Sequence, residues 1–370
     1  MAHEFYMERC LQLAKLGAGH VAPNPMVGAV LVHDDRIIGE GWHQHYGEAH
    51  AEVNCIASVK EEDKHLLSQS VMYVSLEPCS HFGKTPPCAD LIIKHKIPNV
   101  VVGCRDIYKK VDGRGIEKLQ VAGVKVTVGV LEEECKELNK RFFTFHTEHR
   151  PYIILKWAET RDGVIAAPAP PIPKPRDSPM GMTLEHIENG KIVKDRLLIS
   201  NEYTNRLVHR WRSEEAAILV GTNTALDDDP ALTTRLWVGP SPVRVVIDMN
   251  LRLPLSLQLF DRKVRTIVFN TVKHAEEENL LYYQVTNHVS LVHQLVNALY
   301  QLQIQSILVE GGAILIQSFI DEKLWDEVRL IKNNELRIQN GLPAPKLSHS
   351  SKSGEQVILS DTIEIFKPGK

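Results

Sequence analysis

The chain has 370 residues, 43% of them apolar and 24% charged, with a formal net charge of −3. That length exceeds one ordinary hydrophobic core, so two domains are expected. Acidic and basic residues nearly balance in each half, which argues against a nucleic-acid partner held by phosphate neutralisation. No apolar run approaches a membrane span, and the acidic start Met1-Ala-His-Glu lacks a signal peptide's basic and apolar regions, so a cytoplasmic address is expected. All six cysteines fall within the first 135 residues, a mild sign of two separate modules.

Residues 4–16 read as an amphipathic helix with Met7, Leu11 and Ala14 on one face and Gly17 and Gly19 to stop it. In Ala22-Pro-Asn-Pro-Met-Val-Gly28 the two prolines fix an extended loop around Asn24, which by itself reads equally well as a plain turn. Val27–His33 and Arg36–Trp42 form a hairpin through Asp34-Asp35, with His43 at its exit. Helix over 49–60, strand over 71–76, helix from 88 to about 95, strand over 100–104, helix over 115–121 and strand over 124–130 complete the first module. This alternation predicts a three-layer α/β domain.

Two stretches of that module carry chemistry. Gly47-Glu-Ala-His-Ala-Glu52 offers His50, and Glu77-Pro-Cys-Ser-His-Phe-Gly-Lys-Thr-Pro-Pro-Cys88 offers Cys79 and Cys88. One imidazole and two thiolates suit Zn²⁺, and three protein ligands leave a fourth tetrahedral position for water, as catalytic zinc sites do. A structural site would want a fourth protein ligand. Glu52, two residues past the histidine, stands outside the ligand set and can relay a proton from water to a leaving amine. Cys10, Cys55, Cys104 and Cys135 read as small core residues.

Residues 132–151 read as a charged linker whose basic-aromatic end is a solvated helix terminus. Strand over 151–157 then opens the second module, followed by Ala158-Glu-Thr-Arg-Asp-Gly163. Residues 167–195 interrupt it, opening with the proline-dense Ala-Pro-Ala-Pro-Pro-Ile-Pro-Lys-Pro-Arg, which is expected to be an exposed loop or partly disordered insert. Helix over 202–212, and strands over 216–220, 243–248, 266–269 and 306–309, follow. The last runs into Glu310-Gly-Gly-Ala and a helix over 314–320, a turn that can present N–H groups to a phosphate. No Gly-x-Gly-x-x-Gly fingerprint is present, so a standard Rossmann domain is not expected. Beyond 333 only 356–359 and 362–366 read as strand.

His-x-Glu followed by Pro-Cys-x-x-Cys is the general signature of zinc nucleobase deaminases. Here eight residues rather than two separate Cys79 and Cys88. With that longer loop, the chain closely resembles the bifunctional deaminase/reductase family of riboflavin biosynthesis. Pro-Asn-Pro-x-Val-Gly (23–28), Lys-x-Ala-x-Thr-x-Asp-Gly (156–163), Asp-Asp-Pro-x-Leu-Thr-x-Arg (228–235) and Val-Glu-Gly-Gly (309–312) extend the match. The resemblance implies a cytidine-deaminase-like α/β domain over 1–147 and a dihydrofolate-reductase-like α/β domain over 148–370. It implies one Zn²⁺ and one NADPH per chain. The reaction implied is deamination of 2,5-diamino-6-ribosylamino-4(3H)-pyrimidinone 5′-phosphate, then reduction of its ribosyl group to ribityl.

By family position, Asn24, His43, His81 and Lys84 belong to the deaminase substrate. Ala158, Thr224, Asp228 and Gly312 belong to NADPH, and Lys156, Arg212, Leu232, Arg235 and Glu310 to the reductase substrate. A homo-oligomer acting on a small molecule is implied. The chain departs from the family at Arg196 and Leu198, where a small residue and a Trp usually stand, so a working reductase with weakened binding is expected. Two other readings stay open at this point. One is a nucleic-acid-editing deaminase; the other is a deaminase whose second domain serves only as a dimerisation scaffold.

Overall fold

The computed structural model describes residues 2–82, 86–108, 111–167, 185–188, 191–194 and 198–369. Lys84, Arg196 and most of 167–195 therefore lie outside the described residues. Contacts divide the chain into two compact units, 1–152 with 296–306, and 153–295 with 307–370.

In the first unit the elements are α1 (Ala2–Ala14), β1 (Gly28–His33), β2 (Arg36–Trp42), α2 (Ala51–Ala57), β3 (Val71–Leu76), α3 (Cys88–Lys94), β4 (Asn99–Cys104), α4 (Arg114–Val121), β5 (Lys125–Val128), α5 (Glu132–Leu138) and α6 (Lys140–Thr147). The sheet runs β2-β1-β3-β4-β5, with β1 antiparallel to both neighbours and β3, β4 and β5 parallel. Successive side chains of a strand face opposite ways, and the core divides accordingly. Leu31, Met72, Val74, Val100 and Val102 meet α2, α3 and α4 on one face, while Val30, Val32, Tyr73 and Val101 meet α1 and α5 on the other. The unit is thus helix, sheet, helix, as the alternating sequence predicts.

The second unit contains β6 (Tyr152–Glu159), β7 (Val164–Ala166), β8 (Glu185–Glu188), β9 (Lys191–Lys194), α7 (Glu202–Glu214), β10 (Ala217–Val220), α8 (Thr222–Asp228), β11 (Val243–Ile247), β12 (Thr266–Asn270), β13 (Ala275–Glu277), β14 (Leu280–Gln284), α9 (Leu291–Gln301), β15 (Ser306–Val309), α10 (Ala313–Asp321), β16 (Glu327–Asn333), β17 (Leu342–Pro343), β18 (Ser350–Ile358) and β19 (Asp361–Pro368). The last turns of α9 and the first residue of β15 belong to the first unit's contacts, as does Tyr152. A ten-stranded sheet runs β13-β14-β12-β11-β10-β15-β6-β16-β19-β18. Strand β10 lies parallel to β11 on one side and to β15 on the other. The chain moves outward from β10 in one direction and later returns to fill the opposite flank. Such a reversal leaves a crevice at the carboxyl ends of β10 and β15, the usual ligand position in open α/β sheets.

Several elements differ from their expected form. Residues 185–188 and 191–194, inside the expected loop, pair as antiparallel strands. Strand β16 pairs β6 and β19 on its two edges, although 327–333 carries too much charge to read as strand from its own sequence. Helix α7 begins at Glu202 as expected, capped by Asn201, whose side chain accepts the N–H groups of Tyr203 and Thr204, both at 3.0 Å. Among the described residues no helix is long and apolar enough to cross a membrane.

Candidate active sites

Central strand β3 delivers Glu77 at its carboxyl end, where the side chain fastens the next turn. Its carboxylate accepts the N–H groups of Asp106, Gly113, Gly115 and Ile116 at 2.9–3.3 Å. Buried acceptors without such partners are costly, so these bonds tie the Glu-Pro-Cys turn to the start of α4. Cys79 follows, Cys88 opens α3, and His50 caps α2. His50 Nδ1 lies 3.6 Å from Cys79 Sγ and 3.4 Å from Cys88 Sγ. Ligands on a tetrahedral Zn²⁺, at bond lengths near 2.0–2.3 Å, stand about 3.6 Å apart. The two nitrogen–sulfur distances match that spacing, and all three donor atoms lie within 4.8 Å of one another. Among the described residues theirs is also the cluster able to hold a metal.

The Cys79 thiol is drawn down to about 4, first by the hydrogen bond from Cys88 and then by His50, with burial opposing. Cys88 is pushed up by that same bond and by burial. Glu52, in the first turn of α2, is 3% exposed and raised to about 7, chiefly by burial and then by the charge on Cys79.

Above this cluster lies a cavity of about 360 Å³, within the usual range for small-molecule sites. Asn24 and His43 share one wall: the Asn24 amide nitrogen lies 3.1 Å from His43 Nε2, while His43 Nδ1 lies 3.0 Å from the Ala49 carbonyl. These contacts give the ring an Nδ1–H donor and an Nε2 acceptor, and they aim the amide. Burial lowers the His43 pKa and keeps the ring neutral. His81 also lines the cavity, its Nδ1 buried without a hydrogen-bond partner among the described residues.

The cavity lining corrects the sequence reading of 141–150 as a solvated helix end. Phe142, Phe145 and His146 of α6 line the cavity. Their i, i+3, i+4 spacing puts them on one helix face, and the His146 ring lies 5.1 Å from Tyr108 and 4.5 Å from Phe142. Asn139, just before α6, holds the Asn24 loop through both of its amide atoms, taking the Met26 N–H at 2.8 Å and giving to the Met26 carbonyl at 2.9 Å. Aromatic spacing could have flagged α6; nothing local marks Asn139 or Glu77 as clamps.

Gly115 gives a test of this scaffold. A Cβ there would come within 1.9 Å of the Pro78 carbonyl oxygen. Gly115→Ala is therefore expected to push the Pro78-Cys79 segment outward, costing about 1–3 kcal/mol as overpacking does, and to lower zinc content below that of the unaltered chain. Metal analysis of the purified variant checks this.

In the second unit, Arg212 grips Glu310 with two bonds, Nε at 2.9 Å and Nη2 at 2.7 Å, and Lys156 Nζ stands 3.8 Å from the same carboxylate. Burial alone would raise the Glu310 pKa, but Arg212 and Lys156 override it and hold it at about 2. His209 is drawn down to about 4 by burial and then by Arg212 and Arg235. Gly311 lets the β10 and β15 ends approach, since a Cβ would lie 2.6 Å from both Gly221 N and Val220 Cα. The Gly312 N–H donates to Thr224 Oγ1 at 3.0 Å. The structure thus joins Lys156, Arg212 and Glu310 in one cluster and Thr224 and Gly312 in another. Ala158 sits on the Lys156 face of β6, Leu232 is buried in the loop after α8, and Asp228 and Arg235 are exposed.

Acid should weaken this unit in two stages. As pH falls from 6.5 toward 4, the unfolded chain takes up the His209 proton before the folded one does, so stability falls. Below 4.5 the unfolded Glu310 protonates while the folded carboxylate holds out to about 2, and the loss continues. Melting temperature against pH checks this, and His209→Asn is expected to flatten the upper stage.

Comparisons with known proteins bear on both sites. Residues 1–104 match the cytidine and deoxycytidylate deaminase zinc-binding region, and residues 151–333 match the RibD C-terminal domain. The riboflavin biosynthesis protein RibD of Aquifex aeolicus is 37% identical over 328 residues, covering 87% of this chain and 84% of that protein. RibD of Escherichia coli is 34% identical, covering 89% and 86%. A crystal structure of a diaminohydroxyphosphoribosylaminopyrimidine deaminase/5-amino-6-(5-phosphoribosylamino)uracil reductase from Thermotoga maritima superposes with a TM-score of 0.83 at 34% identity, covering 99% of each chain. With a zinc-binding deaminase region at one end and a reductase-family domain at the other, this chain belongs to the RibD family of bifunctional deaminase/reductases in riboflavin biosynthesis.

Proposed function

We propose that residues 1–147 deaminate the diaminopyrimidine ribosyl phosphate and that residues 148–370 then reduce its ribosyl group with NADPH. The observation that carries the first step is the cluster of His50 Nδ1, Cys79 Sγ and Cys88 Sγ, with nitrogen–sulfur distances suited to zinc, beside a cavity that buried Glu52 also lines. Zinc held there lowers the pKa of water at its open position to about 7 and so supplies a nucleophile at neutral pH. Glu52 takes the proton from the attacking water and delivers it to the departing amine; oxygen replaces nitrogen on the ring carbon and ammonia leaves. Asn24 and His43 orient the pyrimidine. His81, with an unpartnered buried nitrogen, and Lys84 receive the phosphate.

In the second step Thr224 and the Gly312 turn bind the cofactor phosphates at the amino end of α10, where the helix dipole favours an anion. Ala158 and Asp228 border the same cofactor. NADPH, when bound there, would supply the hydride for the sugar carbon, with the proton that completes the ribityl chain coming from solvent. Lys156, Arg212, Leu232, Arg235 and Glu310 border the ribosyl substrate, with the Arg235 guanidinium toward its phosphate. Leu198, 64% exposed, leaves out an aromatic contact, a loss of about 1 kcal/mol by analogy with aromatic pairs, so NADPH binds less tightly without being excluded. Calorimetry with NADPH, alongside zinc content and ammonia release, tests the assignment. No heat of NADPH binding to the intact protein would contradict the second half.

A further inference from the structure

Helix α7 and the loop after α8 meet at a contact that neither reaction requires by itself. The His209 ring is 2% exposed, and its Nδ1 accepts the backbone N–H of Arg235 at 3.0 Å. A ring nitrogen that accepts carries no proton, so the imidazole is neutral with its hydrogen on Nε2. The charged groups facing it are Arg212 on its own helix, Arg235 on the loop, Lys156 on β6 and Glu310 after β15. Three cations against one anion oppose any further positive charge on the ring.

The same loop is tied to α7 twice more. Gly239 lies so close to Ser213 that a Cβ would stand 2.7 Å from the serine Cβ. The Arg210 guanidinium lies 5.7 Å from the Trp237 ring centre. Leu232, at the other end, is buried with φ at +50°, which fixes the loop's entry. The His209 bond falls at Arg235 itself, between these anchors.

We propose that His209 is a positioning residue of the second site, holding the Arg235 backbone so that the guanidinium meets the phosphate of the ribosyl substrate. The inference rests on reading Arg235 as a substrate residue. A guanidinium recognises phosphate through paired, directional N–H bonds. A long exposed side chain loses much conformational freedom when it makes them. Fixing the chain at the arginine's own nitrogen removes part of that loss before the substrate arrives, so the benefit appears as binding rather than as chemistry.

Full-length, zinc-loaded Arg235→Ala, His209→Leu, His209→Gln and His209→Asn variants test this, with the deaminated ribosyl phosphate supplied as substrate and NADPH affinity measured by calorimetry. Asparagine places its amide oxygen where Nδ1 stands; glutamine keeps polarity but sets the amide one bond further out. His209→Leu and His209→Gln are expected to raise KM about three- to tenfold, the effect of one lost hydrogen bond. Maximal rate and NADPH affinity should hold, and His209→Asn should restore KM. If leucine disrupts folding, the contrast between glutamine and asparagine decides. An asparagine variant as impaired as glutamine, or losses in NADPH affinity that parallel those in KM, would overturn the latch. Arg235→Ala with an unchanged KM would instead overturn the reading of Arg235 on which the latch rests.

Discussion

Glu52→Gln is expected to keep its zinc and to release ammonia about 10²–10⁴-fold more slowly, the range for a removed general acid–base. Glutamine matches the size of glutamate, so the packing around a side chain only 3% exposed is preserved. It has no proton to carry. Burial raises the carboxyl to about 7, and a divalent cation nearby pulls it down again. The native group is therefore ionised when the water must lose its proton and can return that proton when the amine departs. The proposed metal donors are His50 Nδ1 and the sulfurs of Cys79 and Cys88, so metal content should be unaffected, whereas Cys88→Ser should lose the ion. Zinc analysis and an ammonia assay on the same preparation separate the two roles. A Glu52→Gln variant within tenfold of the native rate would remove Glu52 from the mechanism.

Glu310→Gln is expected to abolish reduction and leave ammonia release untouched. The carboxylate is held by two Arg212 bonds and lies 3.8 Å from Lys156, with both cations mostly buried. Neutralising it leaves two cations facing each other without a counter-charge. Breaking a buried pair in this way costs about 3–5 kcal/mol, so the second unit should also melt at a lower temperature. The deaminated ribosylamino compound should accumulate, and mass analysis of the products identifies it. Loss of ammonia release in a folded, zinc-loaded Glu310→Gln chain would contradict independent sites.

The cluster of His50, Cys79 and Cys88 was legible because zinc chemistry demands particular residue types, and the Glu77–Cys88 loop supplies two of them at a recognisable spacing. The three-layer first unit was legible because its strands are apolar and alternate with helices. What stayed hidden depends on distant partners. Asn139 meets Met26 across 113 residues, and polar side chains that clamp a remote backbone have no local pattern. Glu77 reads as part of a motif, yet its work is to accept four N–H groups from 106–116. Strand β16 carries Arg329 and Lys332, which look solvated, but burial between β6 and β19 overrides local propensity. His209 sits among ordinary helical residues, and only the folded loop shows that it grips Arg235.

The central claim is that one chain performs two consecutive reactions at two sites. It is tested most directly by giving the native protein the diaminopyrimidine ribosyl phosphate, with and without NADPH, and identifying the products by mass. Without NADPH the account predicts a single product in which an amino group has been exchanged for oxygen, with ammonia released in equal amount. With NADPH it predicts that this product gains two hydrogens as the cofactor is oxidised in equal amount. A deaminated product that persists unreduced while NADPH remains unconsumed would contradict it.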